Sequence, residues 1–369
     1  MNSDIKVSVI IPIYNASDYL RPAIDSVIYQ TLAEIEIICV DDGSTDSSLE
    51  ILKEYQKNDD RVRIVTEVNA GPGLARNNGL NRARGEYIAF LDADDFFEPN
   101  FLETLYERAK RDDLDIVISG YDIYNSKRAA FAKADEGDHI DIFANDVVTS
   151  KNEHPDFILA SSTGSAWNKI YRRSFIENKG LSFLPDVKIY EDVYFTVTAF
   201  SLAERVGRVS NVLIHHRIHS EQARNKLLRK NFMQIPQVFL KIKEFLMKKG
   251  MYAPLFTSFL NLSASRCYKL YNILGKDSKE SFWNYMHEEL VEELGWSGRE
   301  MSDFESEEVC AFVTNAEIYT HDQYKRKCQS GEIPQTHRNQ QTVKSFKLRK
   351  KIKNFFLKIF GKNREKNKQ

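Results

Sequence analysis

Two groups of aspartates in the first hundred residues carry side chains well suited to chemistry. Residues 41–44 (DDGS) follow the apolar segment 35–40, and residues 92–95 (DADD) follow the apolar segment 86–91. An Asp-x-Asp that ends a strand suits Mg²⁺ or Mn²⁺, hard cations that keep coordination positions open for phosphate oxygens. Asp is also common in turns and at helix starts, so each group alone is also explained by a turn.

The order of the predicted elements helps to decide between these interpretations. Val7–Tyr14 is a continuous apolar run rich in β-branched residues, typical of a strand buried on both faces, and residues 17–29 keep a helical spacing. This alternation continues to residue 119 and predicts an α/β fold with a largely parallel sheet covered by helices. Ligands bind such sheets beyond the carboxyl ends of the strands, where both aspartate groups lie. Their shared position favours a ligand site.

Phosphate-binding glycine motifs are missing from this chain. It contains no G-x-x-x-x-G-K-[ST], and residues 12–15 (PIYN) stand where a dinucleotide-binding fold has G-x-G-x-x-G. A dinucleotide oxidoreductase is therefore disfavoured. We expect a metal ion to hold the phosphates of the ligand.

The later part of the chain has a different pattern. Residues 126–164 are polar and predict surface loops with short elements, followed by a helix over 192–203 and a strand over 206–214. From about residue 227 only helical spacings occur. We expect an α/β domain over residues 1–225, a helical domain over 226–340 and a basic tail over 341–369.

Composition narrows the class of protein. Hydrophobic residues make up 42% of the 369 residues and charged residues 28%, which excludes disordered and collagen-like classes. No apolar run approaches the length of a membrane-spanning helix, the N-terminus lacks a secretory signal, and the four cysteines have no C-x-x-C spacing. We therefore expect a cytoplasmic protein.

The tail suggests a partner of its own. From Lys344 the chain has eleven Lys or Arg and one acid, Glu365, a net charge of +10 that leaves −11 for the preceding residues. Apolar side chains share one helical face of the tail: Leu348, Ile352, Phe355, Phe356 and Ile359. Such a helix is too short to span a bilayer but suits an anionic membrane surface, here the inner face of the cell membrane. A solvated tail, or one packed on the acidic body, is the alternative; nucleic acid is disfavoured as a partner because the body is acidic.

Several ordered motifs resemble those of family 2 glycosyltransferases of the GT-A fold, a family that includes enzymes of bacterial surface-polysaccharide synthesis. The matching blocks are residues 7–15 (VSVIIPIYN), 40–46 (VDDGSTD), 75–79 (ARNNG), 85–95 (GEYIAFLDADD), 167–169 (WNK) and 190–195 (YEDVYF). The resemblance covers about residues 5–125 and 165–222.

The resemblance implies roles for residues on the donor side. Pro12, Ile13 and Tyr14 would line the uridine of a UDP-sugar, and Asp42 would accept a hydrogen bond from the uracil. Arg76 would either support the nucleotide or pair with the carboxylates at the strand ends, since such ion pairs are common in structures.

The resemblance also implies a metal site and a base. Asp92 would lie against the ribose and a divalent cation (Mn²⁺ or Mg²⁺), Ala93 would add a donor contact, and Asp94 would coordinate the cation at the diphosphate. Asp192 would be the general base, with Glu191 orienting it or contacting the acceptor. A base opposite the leaving group can take the acceptor's proton and gives inversion. Acids are also favourable at a helix N-terminus, and both roles can hold at once.

A histidine-rich segment, residues 215–219 (HHRIH), offers a second metal hypothesis. The i, i+4 spacing of His215 and His219 suits a metal pair on a helix, but a strand is predicted through Ile214, so a metal site is disfavoured. Relatives often carry Tyr-Tyr-x-Tyr-Arg here, in a loop near the diphosphate or acceptor, and this chain departs from that pattern with His216 between His215 and Arg217.

These observations lead to one principal hypothesis and two alternatives. The principal one is an inverting glycosyltransferase that moves a sugar from a nucleotide-sugar to a hydroxyl of a glycan or lipid-linked acceptor in polysaccharide synthesis. A sugar nucleotidyltransferase would need a Gly- and Arg-rich loop after the first strand, which is missing. A non-catalytic, membrane-peripheral carbohydrate-binding scaffold would not need Asp92, Asp94 and Asp192, and all three are present.

Overall fold

The fold is a single mixed sheet flanked by helices. A computed structural model describes residues 5–134, 139–143, 147–161, 163–219, 227–228 and 230–332. Its strands are Val7–Ile13 (β1), Ile35–Asp41 (β2), Val62–Thr66 (β3), Tyr87–Phe90 (β4), Phe96–Phe97 (β5), Ile116–Asn125 (β6), Ala130–Lys133 (β7), Lys169–Arg172 (β8) and Val206–Ile218 (β9). The longer helices are Ser17–Ile28 (α1), Ser48–Asn58 (α2), Pro72–Leu80 (α3), Phe101–Arg111 (α4), Arg173–Lys179 (α5), Glu191–Leu202 (α6), Gln234–Lys248 (α7), Phe256–Ile273 (α8), Lys276–Tyr285 (α9), Glu307–Ile318 (α10) and His321–Ser330 (α11).

The sheet topology brings the ends of several strands to one edge. The strand order is β3-β2-β1-β4-β8-β6-β9-β5, and β7 pairs with β6. β1 is parallel to β2 and β4, and β2 is parallel to β3, so these strands end together; Ile13 lies beside Asp41, and Asp41 beside Thr66. β8 is antiparallel to both β4 and β6, which gives β6 and its parallel neighbour β9 the same direction as β1. We call the shared edge at which these strands end the carboxyl edge, and the predicted α/β class is confirmed.

Burial explains why these segments form the centre of the sheet. β2 is buried at every position and β1 at all but Pro12, because helices cover both faces. α1 contributes an apolar stripe to this core: Leu20, Ala23, Ile24 and Val27. The continuous apolar runs of β1 and β2 therefore reflect two-sided burial.

Two strands are longer than their sequence patterns predict. β6 continues to Asn125 beyond the predicted end at Ser119, and β9 continues to Ile218 beyond Ile214. The two strands pair with each other along this extension, with register shifts near Gly120. The ends of β6 and β9 carry polar side chains that hide the alternating pattern of a strand. Hydrogen bonds between the two strands stabilise these ends.

Helices dominate the described part of the chain from Gln234 to Glu332. α7 packs against α6, and α8 packs against α7 and α10, around the buried side chains of Phe239, Trp283 and Trp296. These helices belong to the same compact unit as the sheet, Met1–Ile318. The predicted boundaries at residues 225 and 340 stay predictions, and the tail over 341–369 lies outside the described residues.

The second unit begins at Tyr319. Its described helix, α11, starts with a capping box in which Thr320 and Gln323 satisfy each other's backbone N–H groups, and it ends at Gly331 in the left-handed conformation. Throughout the described part of the chain, no helix combines the length and apolarity needed to cross a bilayer.

Close packing of α3 on β1 gives a test of this arrangement. A Cβ added to Gly79 would lie 2.4 Å from Cγ2 of Ile10, which is fully buried. We expect Gly79→Ala to lower the free energy of unfolding by about 1–2 kcal/mol, since overpacking outweighs the gain in helix propensity. Urea denaturation measures this. In an Ile10→Ala background the same change should cost less, and an equal cost in both backgrounds would contradict the close contact.

Candidate active site

The turns after β1 and β2 are tied together at the carboxyl edge. Asn15, in the left-handed conformation (φ 48°), accepts a hydrogen bond from the Thr45 N–H through its side-chain oxygen (2.7 Å), and its own N–H donates to Ser44 Oγ (3.1 Å). Beside this link the Tyr14 ring is about half exposed, whereas the Ile13 side chain is buried. At the predicted uridine position, Tyr14 therefore presents an accessible ring, whereas Ile13 is buried.

Asp42 stabilises a loop, a role that the sequence analysis did not predict. Its side chain is buried, and its two carboxylate oxygens accept hydrogen bonds from the backbone N–H groups of Ala70 (2.7 Å) and Gly71 (2.9 Å). It thereby holds the loop that leads into α3. A carboxylate oxygen has further lone pairs, so a hydrogen bond from a uracil stays a prediction.

Arg76 connects two parts of the site that lie far apart in sequence. Its Nη2 donates to Asp92 Oδ1 and its Nη1 to Glu191 Oε1, both at 2.7 Å. The guanidinium is buried and lies over the Phe183 ring at 5.4 Å, and its Nε finds no hydrogen-bond partner among the described residues. Burial alone would lower the pKa of Arg76, but the neighbouring carboxylates, led by Asp92, raise it. Of the two predicted roles, the structure shows the pairing with carboxylates.

Glu191 and Asp192 occupy different environments although they are neighbours. Glu191 is buried on Arg76, and α3 leaves room for it at Gly73, where a Cβ would lie 2.6 Å from the Leu184 carbonyl oxygen and 3.3 Å from Glu191 Cγ. Burial and the nearby charge of Asp192 raise the pKa of Glu191 to about 7, against the opposing effect of Arg76. Asp192 is only partly buried and accepts a hydrogen bond from its neighbour's N–H, that of Val193 (2.8 Å). This arrangement leaves Asp192 as the acid nearer to solvent.

A strained residue precedes these acids. Tyr190 has φ 66° and ψ 13°, a left-handed conformation that costs a non-glycine residue of the order of 1 kcal/mol. Its ring packs edge-on against Phe239 of α7, with 6.4 Å between the centroids. The helical region thus packs against the turn that starts α6 and sets the positions of Glu191 and Asp192.

The end of β9 supplies groups that sequence reasoning did not connect with the aspartates. Nε2 of His219 lies 3.1 Å from Asp94 Oδ2, and Nε of Arg217 donates to the Asp94 carbonyl oxygen at 2.7 Å. These residues lie more than 120 positions from Asp94, and no local pattern marks the contact. His215 is held elsewhere, between the carboxylates of Asp122 (2.6 Å) and Glu98 (2.7 Å), so it does not pair with His219.

Asp95 is a structural member of the second aspartate group. It is fully buried, accepts a hydrogen bond from the Arg217 N–H (2.8 Å) and lies 3.1 Å from His216 Nδ1 through its Oδ1. Burial raises the pKa of Asp95 to about 7, against the effect of His216. The His216 ring stacks on Trp167, with 5.5 Å between centroids, so the WNK block is joined to the carboxyl edge.

The carboxylates fit a cation that shares its coordination sphere with phosphate. No set of three or more His, Cys, Asp or Glu side chains within the described ranges is arranged to hold a metal by itself. Asp92 and Asp94 each use one oxygen in the contacts above and keep the other. Mg²⁺ commonly binds through one or two carboxylates together with substrate phosphates, which matches this donor set. Asp92 and Asp94 are therefore suitable for a divalent cation.

Comparisons with known proteins assign this arrangement to a family. Residues 8–179 match the family described as glycosyl transferase family 2. The putative glycosyltransferase EpsH of Bacillus subtilis is 38% identical over 221 residues, 58% of this chain and 61% of that protein. The uncharacterized glycosyltransferase YibD of Escherichia coli is 33% identical over 279 residues, 72% of this chain and 79% of that protein. The chain spans less than two thirds of the length of several such relatives, EpsH among them.

A solved structure shares the fold over nearly the whole chain. Residues 1–349 of S. aureus TarS, in complex with UDP-GlcNAc, superpose with a TM-score of 0.66 at 20% identity, covering 90% of this chain and 93% of that one. This superposition shows that the chain has the GT-A fold. The chain belongs to glycosyltransferase family 2, because it covers 79% of YibD at 33% identity and matches the family over residues 8–179.

Proposed function

We propose that this protein is an inverting glycosyltransferase that moves a sugar from a nucleotide-sugar, of the UDP type, to a hydroxyl of a glycan or lipid-linked acceptor. One observation carries the proposal: a single buried guanidinium, that of Arg76, holds Asp92 on the donor side and Glu191, next to Asp192, on the acceptor side. Such an arrangement supports a reaction between two substrates that meet near Arg76. The TarS structure in complex with UDP-GlcNAc supports the choice of a UDP-sugar as donor.

The donor side offers contacts for each part of a UDP-sugar. The half-exposed ring of Tyr14, next to Pro12 and Ile13, suits the uridine, and Asp42 lies at the following strand end. Asp92, Ala93 and Asp94 would hold the diphosphate end. A divalent cation bound there would act as a Lewis acid on the departing UDP. His219, 3.1 Å from Asp94, is positioned to support the same carboxylate or to join it as a ligand.

Asp192 is the residue that we assign as general base. It is partly exposed at the first turn of α6, where it can receive the proton of an acceptor hydroxyl as that oxygen attacks the anomeric carbon. Glu191 is buried on Arg76, which supports a role in orienting this turn over a contact with the acceptor. A base on the side opposite the leaving group supports inversion.

The alternatives gain no support from the contacts at the site. A nucleotidyltransferase loop rich in Gly and Arg does not follow β1, where the turn is built by Asn15, Ser44 and Thr45. A non-catalytic scaffold would not explain why a partly exposed acid, Asp192, sits beside a buried one, Glu191, at the start of α6. The combination favours catalysis.

Removal of Asp94 tests the metal-dependent mechanism. We expect Asp94→Ala to abolish hydrolysis of UDP-sugars and to leave the melting temperature within a few degrees of wild type, because the side chain is only partly buried. EDTA should inactivate the wild type, and Mn²⁺ should restore it. The exposed Asp60 provides a control, since Asp60→Ala should retain activity. Full activity in chelator would contradict the mechanism.

Asp192→Asn tests the general base. The substitution keeps the shape and removes the proton acceptor, so turnover should fall by roughly 10²–10⁴. The affinity for UDP, measured by calorimetry, should be nearly unchanged because the base does not hold the nucleotide. The control is Asp277→Asn, which removes an exposed acid from the first turn of another helix, α9. Loss of UDP affinity with turnover retained would place the base elsewhere.

We further propose that the basic tail binds the cytoplasmic face of the membrane, where lipid-linked acceptors would be available. The proposal is supported by the charge of the tail and its apolar face, residues 348–359. We expect full-length protein to sediment with anionic liposomes, less so as salt rises, and a chain ending at Gln341 to stay in solution while still hydrolysing donor. Neutral liposomes are the control, and equal sedimentation of both chains would refute the tail's role.

A further inference from the structure

Three buried phenylalanine rings form a cluster next to Arg76. The ring centroids of Phe90 and Phe183 are 5.1 Å apart, those of Phe183 and Phe195 are 4.2 Å apart, and those of Phe90 and Phe195 are 5.6 Å apart. The rings of Phe183 and Phe195 are stacked, with an interplanar angle of 4°. We call these three side chains the aromatic cluster. Its members come from three segments of the chain: β4, α6 and the segment between α5 and α6.

The aromatic cluster includes one residue from each element that leads to a carboxylate partner of Arg76. Phe90 is the last residue of β4, two positions before Asp92. Phe195 lies four positions after Glu191, which places both residues on the same side of α6. Phe183 belongs to neither element but contacts the rings of both. A shift of the Phe183 ring would therefore act on β4 and α6 together.

The Phe183 ring also covers one face of the Arg76 guanidinium. Cζ of Arg76 lies over this ring, 5.4 Å from its centroid, which is within the range of a cation–π contact. Because the guanidinium is planar, a ring against its face leaves the N–H groups at its edge to reach Asp92 and Glu191, both at 2.7 Å. Nε of Arg76 has no hydrogen-bond partner among the described residues. The orientation of the guanidinium thus depends on the two ion pairs and on the ring.

The residue after Arg76 holds the backbone of Phe183. Nδ2 of Asn77 donates to the Phe183 carbonyl oxygen (2.9 Å), and the Phe183 N–H donates to Oδ1 of Asn77 (2.8 Å). Phe183 lies outside any strand or helix, so Asn77 satisfies backbone groups that a regular element would otherwise pair. One helical turn earlier, the Leu184 carbonyl oxygen packs closely on Gly73. α3 therefore carries both Arg76 and the side chain that fixes Phe183 beside it.

We propose that Phe183, held by Asn77, is a positioning residue: its ring sets the plane of the Arg76 guanidinium and thereby the positions of Asp92 and Glu191 relative to each other. An aliphatic side chain in the same space would not replace it, because the flat, electron-rich face that attracts a guanidinium is a property of the aromatic ring. The proposal rests on the proposed function only in its consequence for turnover, since Asp92 and Asp192, next to Glu191, are the residues assigned to donor and acceptor.

NMR of arginine side chains tests the ring contact without reference to activity. With ¹³C,¹⁵N-labelled arginine, the signals of Arg76 are assigned by their loss in an Arg76→Lys sample. Phe183→Leu keeps an apolar side chain and removes the ring, so rotation about the Nε–Cζ bond of Arg76 should become about tenfold faster, as expected for the loss of a desolvated cation–π contact. Unchanged rotation would overturn the proposal.

The control applies the same substitution to a buried ring elsewhere. Phe312 of α10 is buried and contacts Trp283, with 5.8 Å between the centroids. Phe312→Leu should lower the melting temperature as Phe183→Leu does, because both substitutions remove buried aromatic volume. Rotation of the Arg76 guanidinium should stay at its wild-type rate in Phe312→Leu, and an equal change in both variants would show a general loss of packing and overturn the proposal.

Turnover separates positioning from a purely structural role. We expect kcat for UDP-sugar hydrolysis, per folded molecule, to fall roughly 10–100-fold in Phe183→Leu, since small displacements of reacting groups have effects of this size. Phe312→Leu should keep the wild-type kcat. Asn77→Ala leaves the ring in place but frees its backbone, and it should lower kcat in the same direction. Wild-type kcat in both Phe183→Leu and Asn77→Ala would overturn the proposal. If the wild type hydrolysed no UDP-sugar, the proposed function would fail, while the NMR result would still decide the role of the ring at Arg76.

Discussion

The two ion pairs of Arg76 are the interaction on which the rest of the site depends. A buried guanidinium is tolerated only with carboxylate partners, because the desolvation of a single charge is not offset by neutral surroundings. Asp92, after β4, and Glu191, at the start of α6, are therefore held at a common point although they are 99 residues apart. The absence of a side chain at Gly73 permits this approach. One side chain therefore links the residues proposed for the donor side with those proposed for the acceptor side.

The two acids at the start of α6 lie near these ion pairs but have different environments. Glu191 is buried and has a raised pKa, whereas Asp192 keeps contact with solvent. Two adjacent acids thus have unlike environments: Glu191 is the buried partner of Arg76, and Asp192 is partly exposed.

Two elements from the second half of the chain complete the site by packing. The extended β9 carries Arg217 and His219 to Asp94, and α7 contacts Tyr190, whose left-handed backbone starts α6. A strained turn of this kind persists only where its surroundings hold it. α7 therefore contributes to the geometry of the site as well as to stability.

Local sequence patterns were sufficient to predict the α/β class, the position of the aspartates at the carboxyl edge and the family resemblance. Two-sided burial and helical spacing both produce characteristic patterns of apolar residues within short segments. They were not sufficient for the full length of β6 and β9, whose polar ends are stabilised by pairing with each other. The capture of the Ala70 and Gly71 N–H groups by Asp42 and the contact of His219 with Asp94 likewise join residues 28 to 125 positions apart. Such contacts depend on how whole elements pack. Only the tertiary structure therefore decided that Glu191 is buried on Arg76, whereas Asp192 keeps contact with solvent.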